Sequence, residues 1–304
     1  LHPRVRRQRQ MCIRDRPPGA GKTMLAKCVP TIMPDMTFEE AVEVTKIHSV
    51  AGILDSSVGI VNARPFRTPH HTATVAALIG GGQKARPGEV SLAHNGVLFL
   101  DEMPEYSRHT LETLRQPLED KKVTIARAMR SVEYPADFML VASMNPCPCG
   151  NFGSRTNACT CTAAQIHAYM SKLSGPLLDR IDLHVEVDGV EYAELRGGEK
   201  GDTSETIKKR VEAARAIQRK RFEGRGILTN SRMGAKEIEL YCAVGEDGER
   251  LLKKAFDKMG LTARATTRIL KVARTIADLD GCADISPAHL AEAIQYRNVE
   301  KKRF

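Results

Sequence analysis

The sequence predicts an α/β fold: a mostly parallel sheet with right-handed crossovers, followed by a helical C-terminal domain. Three observations predict it. Residues 17–190 alternate helical patterns with short apolar strands. Two of those runs read as strands buried on both faces of a parallel sheet: Gly96 to Leu100 is continuously apolar, and Phe138 to Met144 is a second buried run. After Asp202 the pattern is helical to the end. With 304 residues the chain is long enough for two domains. The expected division is a leader over 1–16, a core over 17–193, a Gly-rich charged linker over 194–202 and a helical domain over 203–304.

Composition narrows the classes. Hydrophobic residues make up 42% and charged residues 27%, which argues against disorder. No apolar run is long enough to span a membrane. Eight cysteines are too few for a small secreted disulfide scaffold. No signal peptide opens the chain, so a cytoplasmic location and no membrane partner are expected. With no tryptophan and 5% aromatics, the core must be mainly aliphatic.

Residues 1–16 carry six Arg and one Asp, five of the nine net positive charges. They lack apolar periodicity, and Met11 to Arg16 resembles the translation of a transposon end used in sequencing libraries. They are expected to be a non-native leader. The alternative is a basic arm on a phosphate backbone.

Arg16-Pro17-Pro18-Gly19-Ala20-Gly21-Lys22-Thr23 matches the second half of the phosphate-loop pattern G-x-x-x-x-G-K-[ST]. Glycines let backbone N–H groups approach phosphate oxygens, and the following helix adds its positive end. Pro18, Gly19, Ala20 and Gly21 would line the phosphates. Lys22 would reach the β- and γ-phosphates of ATP, and Thr23 would hold Mg²⁺. The pattern's first glycine is replaced by Arg16, and no apolar strand precedes the loop.

Gly96-Val97-Leu98-Phe99-Leu100 ends in Asp101-Glu102, at the sheet edge where open α/β folds bind ligands. Asp101 is expected on Mg²⁺, and Glu102 is expected to polarise the attacking water. A helix from Ser107 should bury Leu111, Leu114 and Leu118, with Pro117 kinking it or ending it early. Lys122 to Ala126 and Ser131 to Pro135 read as a hairpin with a basic tip. Lys121, Lys122, Arg127 and Arg130 would then meet DNA phosphates. The alternatives are a solvated surface hairpin or one against a neighbouring subunit.

The next strand ends at Asn145, placed to hydrogen-bond the γ-phosphate or the water. Cys147-Pro148-Cys149 and Cys159-Thr160-Cys161 form two dicysteine turns that would supply four thiolates to a structural Zn²⁺. The alternative is reduced thiols without metal. His70 and His71 read as structural or nucleotide-adjacent, with diverging side chains. In Leu177-Leu178-Asp179-Arg180-Ile181-Asp182, Arg180 is either an ion-pair partner of Asp179 or Asp182, or an arginine finger for a neighbour's γ-phosphate. The helix over 203–222 should present Ile207, Val211, Ala214 and Ile217 on one face. Further helices are expected near 235–243, 247–258, 264–280 and 287–296.

Together these stretches resemble the Mg-chelatase-like YifB/ComM family of AAA+ ATPases. Arg67-Thr68-Pro69-His70-His71, Arg86-Pro87-Gly88-Glu89, Asn145-Pro146-Cys147-Pro148-Cys149-Gly150 and Thr262 to Leu279 carry the resemblance further. It implies a P-loop AAA+ core with a C-terminal helical lid. Lys22 and Thr23 would be Walker A, Asp101 and Glu102 Walker B, Asn145 sensor 1, Arg180 a trans finger and Arg264 sensor 2, with Arg268 the lesser choice. ATP and Mg²⁺ are the implied cofactors. The implied assembly is a ring, a hexamer, moving DNA in recombination and transformation. The family's Lon-protease-like domain is not in this sequence. One alternative function is a magnesium-chelatase remodelling subunit. Another is a fragment impaired in nucleotide binding by Arg16.

Overall fold

A computed structural model describes residues 22–55, 59–126, 131–154, 157–187 and 201–297, and the backbone of 12–14. It forms two compact units. One is built from residues up to Ile181, the other from residue 201 onward together with Asp182–Val185.

In the first unit, strand β1 (Cys12–Arg14) precedes helix α1 (Lys22–Ile32) and helix α2 (Phe38–Ala51). Helix α2 starts at a capping box, Thr37 with Glu40, and ends at Gly52 in the left-handed region. Strand β2 (Phe66–Arg67), helix α3 (Val75–Ile79), the ribbon β3–β4 (Gly80–Gly81 with Arg86–Pro87) and helix α4 (Glu89–Leu92) lead to β5 (Val97–Leu100). All four β5 residues are wholly buried. Gly88 and Gly96 are required by close approach. A Cβ on Gly88 would sit 2.3 Å from the Gly80 nitrogen, and one on Gly96 2.1 Å from the Pro65 oxygen.

Helix α5 (Arg108–Glu112) starts from the Ser107 cap, and α6 (Arg115–Asp120) follows it. The single helix expected from Ser107 is thus two. Pro117 lacks an N–H and its ring clashes with the carbonyl four residues back, at Thr113, so the break falls there and Pro117 sits in the first turn of α6. Leu111 and Leu114 are buried as expected.

The hairpin β6 (Lys122–Ala126) and β7 (Ser131–Pro135) leads to β8 (Met139–Met144). Helices α7 (Ala163–Met170) and α8 (Gly175–Leu178) follow, then a short strand β9 (His184–Glu186) where the chain passes between units. Strands β2, β5, β8 and β1 are parallel and adjacent in that order, so the predicted α/β sheet is present. Cys12–Arg14 pairs with Ala142–Met144. Residues set aside in the leader therefore occupy the strand position before the phosphate loop that the sequence left blank. Leu98, Leu100, Met103, Tyr106 and Leu114 form the centre of this unit's core.

The second unit holds α9 (Ser204–Arg221), α10 (Ala235–Tyr241), α11 (Glu246–Met259), α12 (Ala263–Leu279) and α13 (Pro287–Gln295). Thr203, Thr262 and Ser286 cap three of them, as their hydroxyl types and positions suggest. On α9 the buried face is Ile207, Ala214 and Gln218, whereas Ile217 is 37% exposed. The helix turns Gln218 inward because its amide donates to Asp278 and its oxygen accepts from the Asn230 N–H. Asp182–Val185, expected in the core domain, belongs here. Asp182 pairs with Arg268, and the His184 N–H donates to the Tyr296 carbonyl at 2.9 Å.

Asp278 is the polar centre of this unit and is fully buried. It accepts from Arg221, Arg274, Asn230 and Gln218. No helix among the described residues is long and apolar enough to cross a membrane.

Candidate functional site

The functional side chains converge at the C-terminal ends of β5 and β8. Both strands are buried runs, so their last residues and the turns after them reach the edge where polar groups can meet solvent. Lys22 and Thr23 open α1 beside them.

The Lys22 ammonium donates to the Asn145 Oδ1 at 2.8 Å and to the Met144 carbonyl at 2.9 Å. The Thr23 hydroxyl donates to the Asp101 carboxylate at 2.8 Å. Asp101 also accepts from the Ser143 hydroxyl and from the Glu102 N–H at 3.1 Å. Ser143 is 2% exposed and receives the Glu102 N–H as well, at 3.2 Å. Three donors thus fix the Asp101 carboxylate, and one Ser143 hydroxyl ties β8 to the acidic turn after β5.

Ser143 is the residue that sequence reasoning missed. Its signal was a hydroxyl inside an otherwise apolar buried run, a group that must find a partner to be tolerated there. Glu102 itself sits at φ 51°, ψ 47°, left-handed backbone rare for a non-glycine residue. This geometry turns the chain sharply from β5 into a 3₁₀ turn at Met103–Glu105.

Two aromatic side chains frame the site. The Tyr106 hydroxyl donates to the Pro69 carbonyl at 2.5 Å, and burial, with the Asp101 charge second, pushes its phenol up. Burial likewise raises the Tyr169 phenol, against a hydrogen bond with the Asn145 backbone and with help from Glu105 and Glu102. Arg67 grips Glu89 through two bonds of 2.6 and 2.8 Å, which joins the Arg67–His71 and Arg86–Glu89 stretches. His70 and His71 do not diverge as expected: their rings lie 4.0 Å apart.

This arrangement fits a nucleotide with its divalent cation. An octahedral Mg²⁺ with oxygens at about 2.1 Å has adjacent ligands about 3 Å apart. The Thr23 and Asp101 oxygens, at 2.8 Å, match that spacing. Lys22 brings a cation to the same edge, as phosphate oxygens require. Pro18, Gly19, Ala20 and Gly21 lie outside the described residues.

Arg180 pairs with Glu119 at 2.7 Å, and its side chain is 6% exposed. It also donates to the Pro176 carbonyl. On α12, Arg264 is exposed and Arg268 is engaged by Asp182. In the hairpin, Lys122 pairs with Glu133 across the strands at 2.8 Å, which raises its pKa, and Lys121 lies 3.5 Å from Asp137. Arg127 and Arg130 lie outside the described residues.

The four cysteines of the paired turns come together. The Sγ atoms of Cys147, Cys149, Cys159 and Cys161 all lie within 4.8 Å of one another. Backbone hydrogen bonds from Asn151 and Thr160 draw the Cys149 thiol down to about 5.

Comparison with known proteins supplies a context. A family model described as magnesium chelatase, subunit ChlI, matches residues 11–195, and its C-terminal companion matches residues 201–297. The chain is 45% identical to competence protein ComM of Haemophilus influenzae over 92% of its own length and 54% of that protein. It is 43% identical to the uncharacterized protein YifB of Salmonella typhimurium over 94% of its length and 55% of that protein. A chloroplastic magnesium-chelatase subunit ChlI of Oryza sativa subsp. indica is 28% identical over 40% of the chain and 24% of that protein. The chain spans about half the length of the first two relatives.

Proposed function

The chain belongs to the magnesium chelatase ChlI family, in its YifB/ComM branch, and on that premise we propose that it is an AAA+ ATPase working as a ring on DNA. The reading extends to a hexamer that drives helicase action or branch migration in homologous recombination and in the uptake of transforming DNA.

One observation carries the ATPase reading: Lys22, Thr23, Asp101 and Asn145 meet in one hydrogen-bonded cluster beside Glu102. Lys22 binds the phosphate oxygens and Asn145 orients the γ-phosphate or the water. Thr23 and Asp101 hold Mg²⁺, which when bound neutralises charge on the phosphates. Ser143 keeps Asp101 in the orientation that task needs. Glu102 takes up a proton from the attacking water. Arg264 is proposed to reach the nucleotide as sensor 2.

Arg180 is proposed to act on the nucleotide of the next protomer. Its pairing with Glu119 holds the guanidinium ready and must be exchanged for the phosphate. Arg180→Ala is expected to leave nucleotide affinity within about twofold and to lower turnover by about 10³-fold. The measurement is steady-state hydrolysis beside equilibrium nucleotide binding, and unimpaired turnover in the pure variant would remove the trans role.

The DNA reading is supported by the basic hairpin and by the ComM relative being named a competence protein. Lys121 and Lys122 would trade Asp137 and Glu133 for phosphates, and Arg127 and Arg130 are proposed to add phosphate contacts. The test is ATP turnover with and without single-stranded and forked DNA. A stimulation of about tenfold or more, weakening as salt rises, is expected for contacts of this kind. Turnover indifferent to DNA would favour the second reading, a chelatase-type remodeller. That reading draws on the ChlI family match and the rice relative, and it would show stimulation by partner subunits with porphyrin.

A further inference from the structure

We propose that Cys147, Cys149, Cys159 and Cys161 bind one Zn²⁺ as four thiolates, and that this metal holds the 145–162 loop and with it Asn145. A tetrahedral zinc with Zn–S bonds of about 2.3 Å places its sulfurs about 3.8 Å apart. Cys147 and Cys149 lie 3.3 Å apart, Cys147 and Cys159 3.7 Å, and Cys149 and Cys159 3.6 Å. Cys161 lies within 4.8 Å of all three. Each sulfur is a free thiol, and no S···S separation approaches the roughly 2.05 Å of a disulfide.

The local backbone is built for such a centre. Gly150 and Gly153 take φ of 80° and 77°, which turns the chain back toward the sulfurs. The Phe152 N–H points at the Cys147 sulfur at 3.3 Å, the backbone bond that orients a thiolate and tempers its charge. An all-sulfur donor set selects a soft or borderline ion, which excludes Mg²⁺ and Ca²⁺. Four sulfurs close the coordination shell, so the metal is structural and carries no substrate.

The place in the fold gives the metal a task. Among the described residues from Asn145 to Thr162 there is neither helix nor strand. Packed domains rarely hold a segment of this length in one conformation without a clip. Cys147 is two residues beyond Asn145, whose amide oxygen receives Lys22. At its far end the segment enters α7 through the Thr162–Gln165 capping box. Tyr169 of that helix is buried in the same core as Met144, next to Asn145 in the chain. The metal closes the segment between these two anchors, so its loss frees Asn145 from one side.

The test begins with metal analysis of the full chain purified without chelator. About one zinc per chain is expected, falling at least tenfold in Cys149→Ser and in Cys161→Ser. Zinc that never exceeds about one-tenth per chain after anaerobic reconstitution, full zinc in both variants, or iron in its place would overturn the site. Should the variants fail to fold, cobalt substitution of the parent chain decides: tetrahedral thiolate bands support four sulfurs, and a pale octahedral spectrum overturns them. Neither readout depends on ATP. The positioning of Asn145 rests on the ATPase reading and has its own arm: turnover should fall about tenfold or more on zinc removal and return on readdition. Undiminished turnover in zinc-free protein would overturn the positioning and leave the metal site standing.

Discussion

Glu102→Gln is expected to bind ATP as tightly as the parent and to turn it over at least about 10²-fold more slowly, whereas Lys22→Ala is expected to lose the nucleotide itself. The two variants separate because their groups do different things at one strand end. In its proposed role the Glu102 carboxylate takes up the proton that the water gives up, and an amide of the same size cannot accept it. Lys22 in its proposed role gives charge-assisted hydrogen bonds to the bound nucleotide, and their loss is expected to cost affinity about 100-fold. The Lys22→Ala change also leaves the Asn145 amide and the Met144 carbonyl without their ammonium donor. Equilibrium binding of a labelled nucleotide, read beside single-turnover hydrolysis, checks both. Equal affinities for the two variants would end the assignment of these roles.

Asp278→Ala is expected to have the largest effect on folding. The carboxylate is fully buried and faces the guanidinium groups of Arg221 and Arg274, which are 12% and 3% exposed. Removing it leaves two cations in a low-dielectric interior with the Asn230 and Gln218 amides also short of an acceptor. Breaking one partner out of such a pair costs about 3–5 kcal/mol. For a unit of this size that lowers its own thermal transition by roughly 12 °C or more. Calorimetry on the full chain, following the transition of the C-terminal unit, makes the measurement. A transition within about 3 °C of the parent would mean that solvent reaches the arginines and screens them.

The legible parts share a property: one local pattern with one partner type. Val97–Leu100 and Met139–Met144 were readable as strands because burial on both faces leaves almost every position apolar, Ser143 being the exception. The helix caps at Ser107, Thr203, Thr262 and Ser286 were readable, or lay at the predicted helix starts, because a hydroxyl at that position serves its own backbone. The meeting of Lys22, Thr23, Asp101 and Asn145 followed from motif order.

What escaped needed two distant segments at once. Nothing near Arg180 in the sequence names Glu119, sixty-one residues away, as a partner. Asp182 is drawn to Arg268, which takes the neighbouring residues into the C-terminal unit. Ile217 was assigned to the buried face by its apolar side chain. Gln218 won that face through hydrogen bonds that only the folded neighbourhood provides. Cys12–Arg14 has no strand-like pattern of its own, and its place is set by pairing with β8.

The left-handed backbone at Glu102 has a consequence for how this chain tolerates change. A glycine there would relieve strain of about 1–3 kcal/mol, enough to offset the roughly 0.5–1 kcal/mol that its greater freedom costs in the unfolded chain. The fold therefore does nothing to retain this carboxylate, and a screen for thermal resilience would pass its loss unnoticed. In the role proposed for Glu102, only selection on turnover would keep it. A gene copy released from that selection would shed the position early and still yield a folded protein that takes up nucleotide and goes no further.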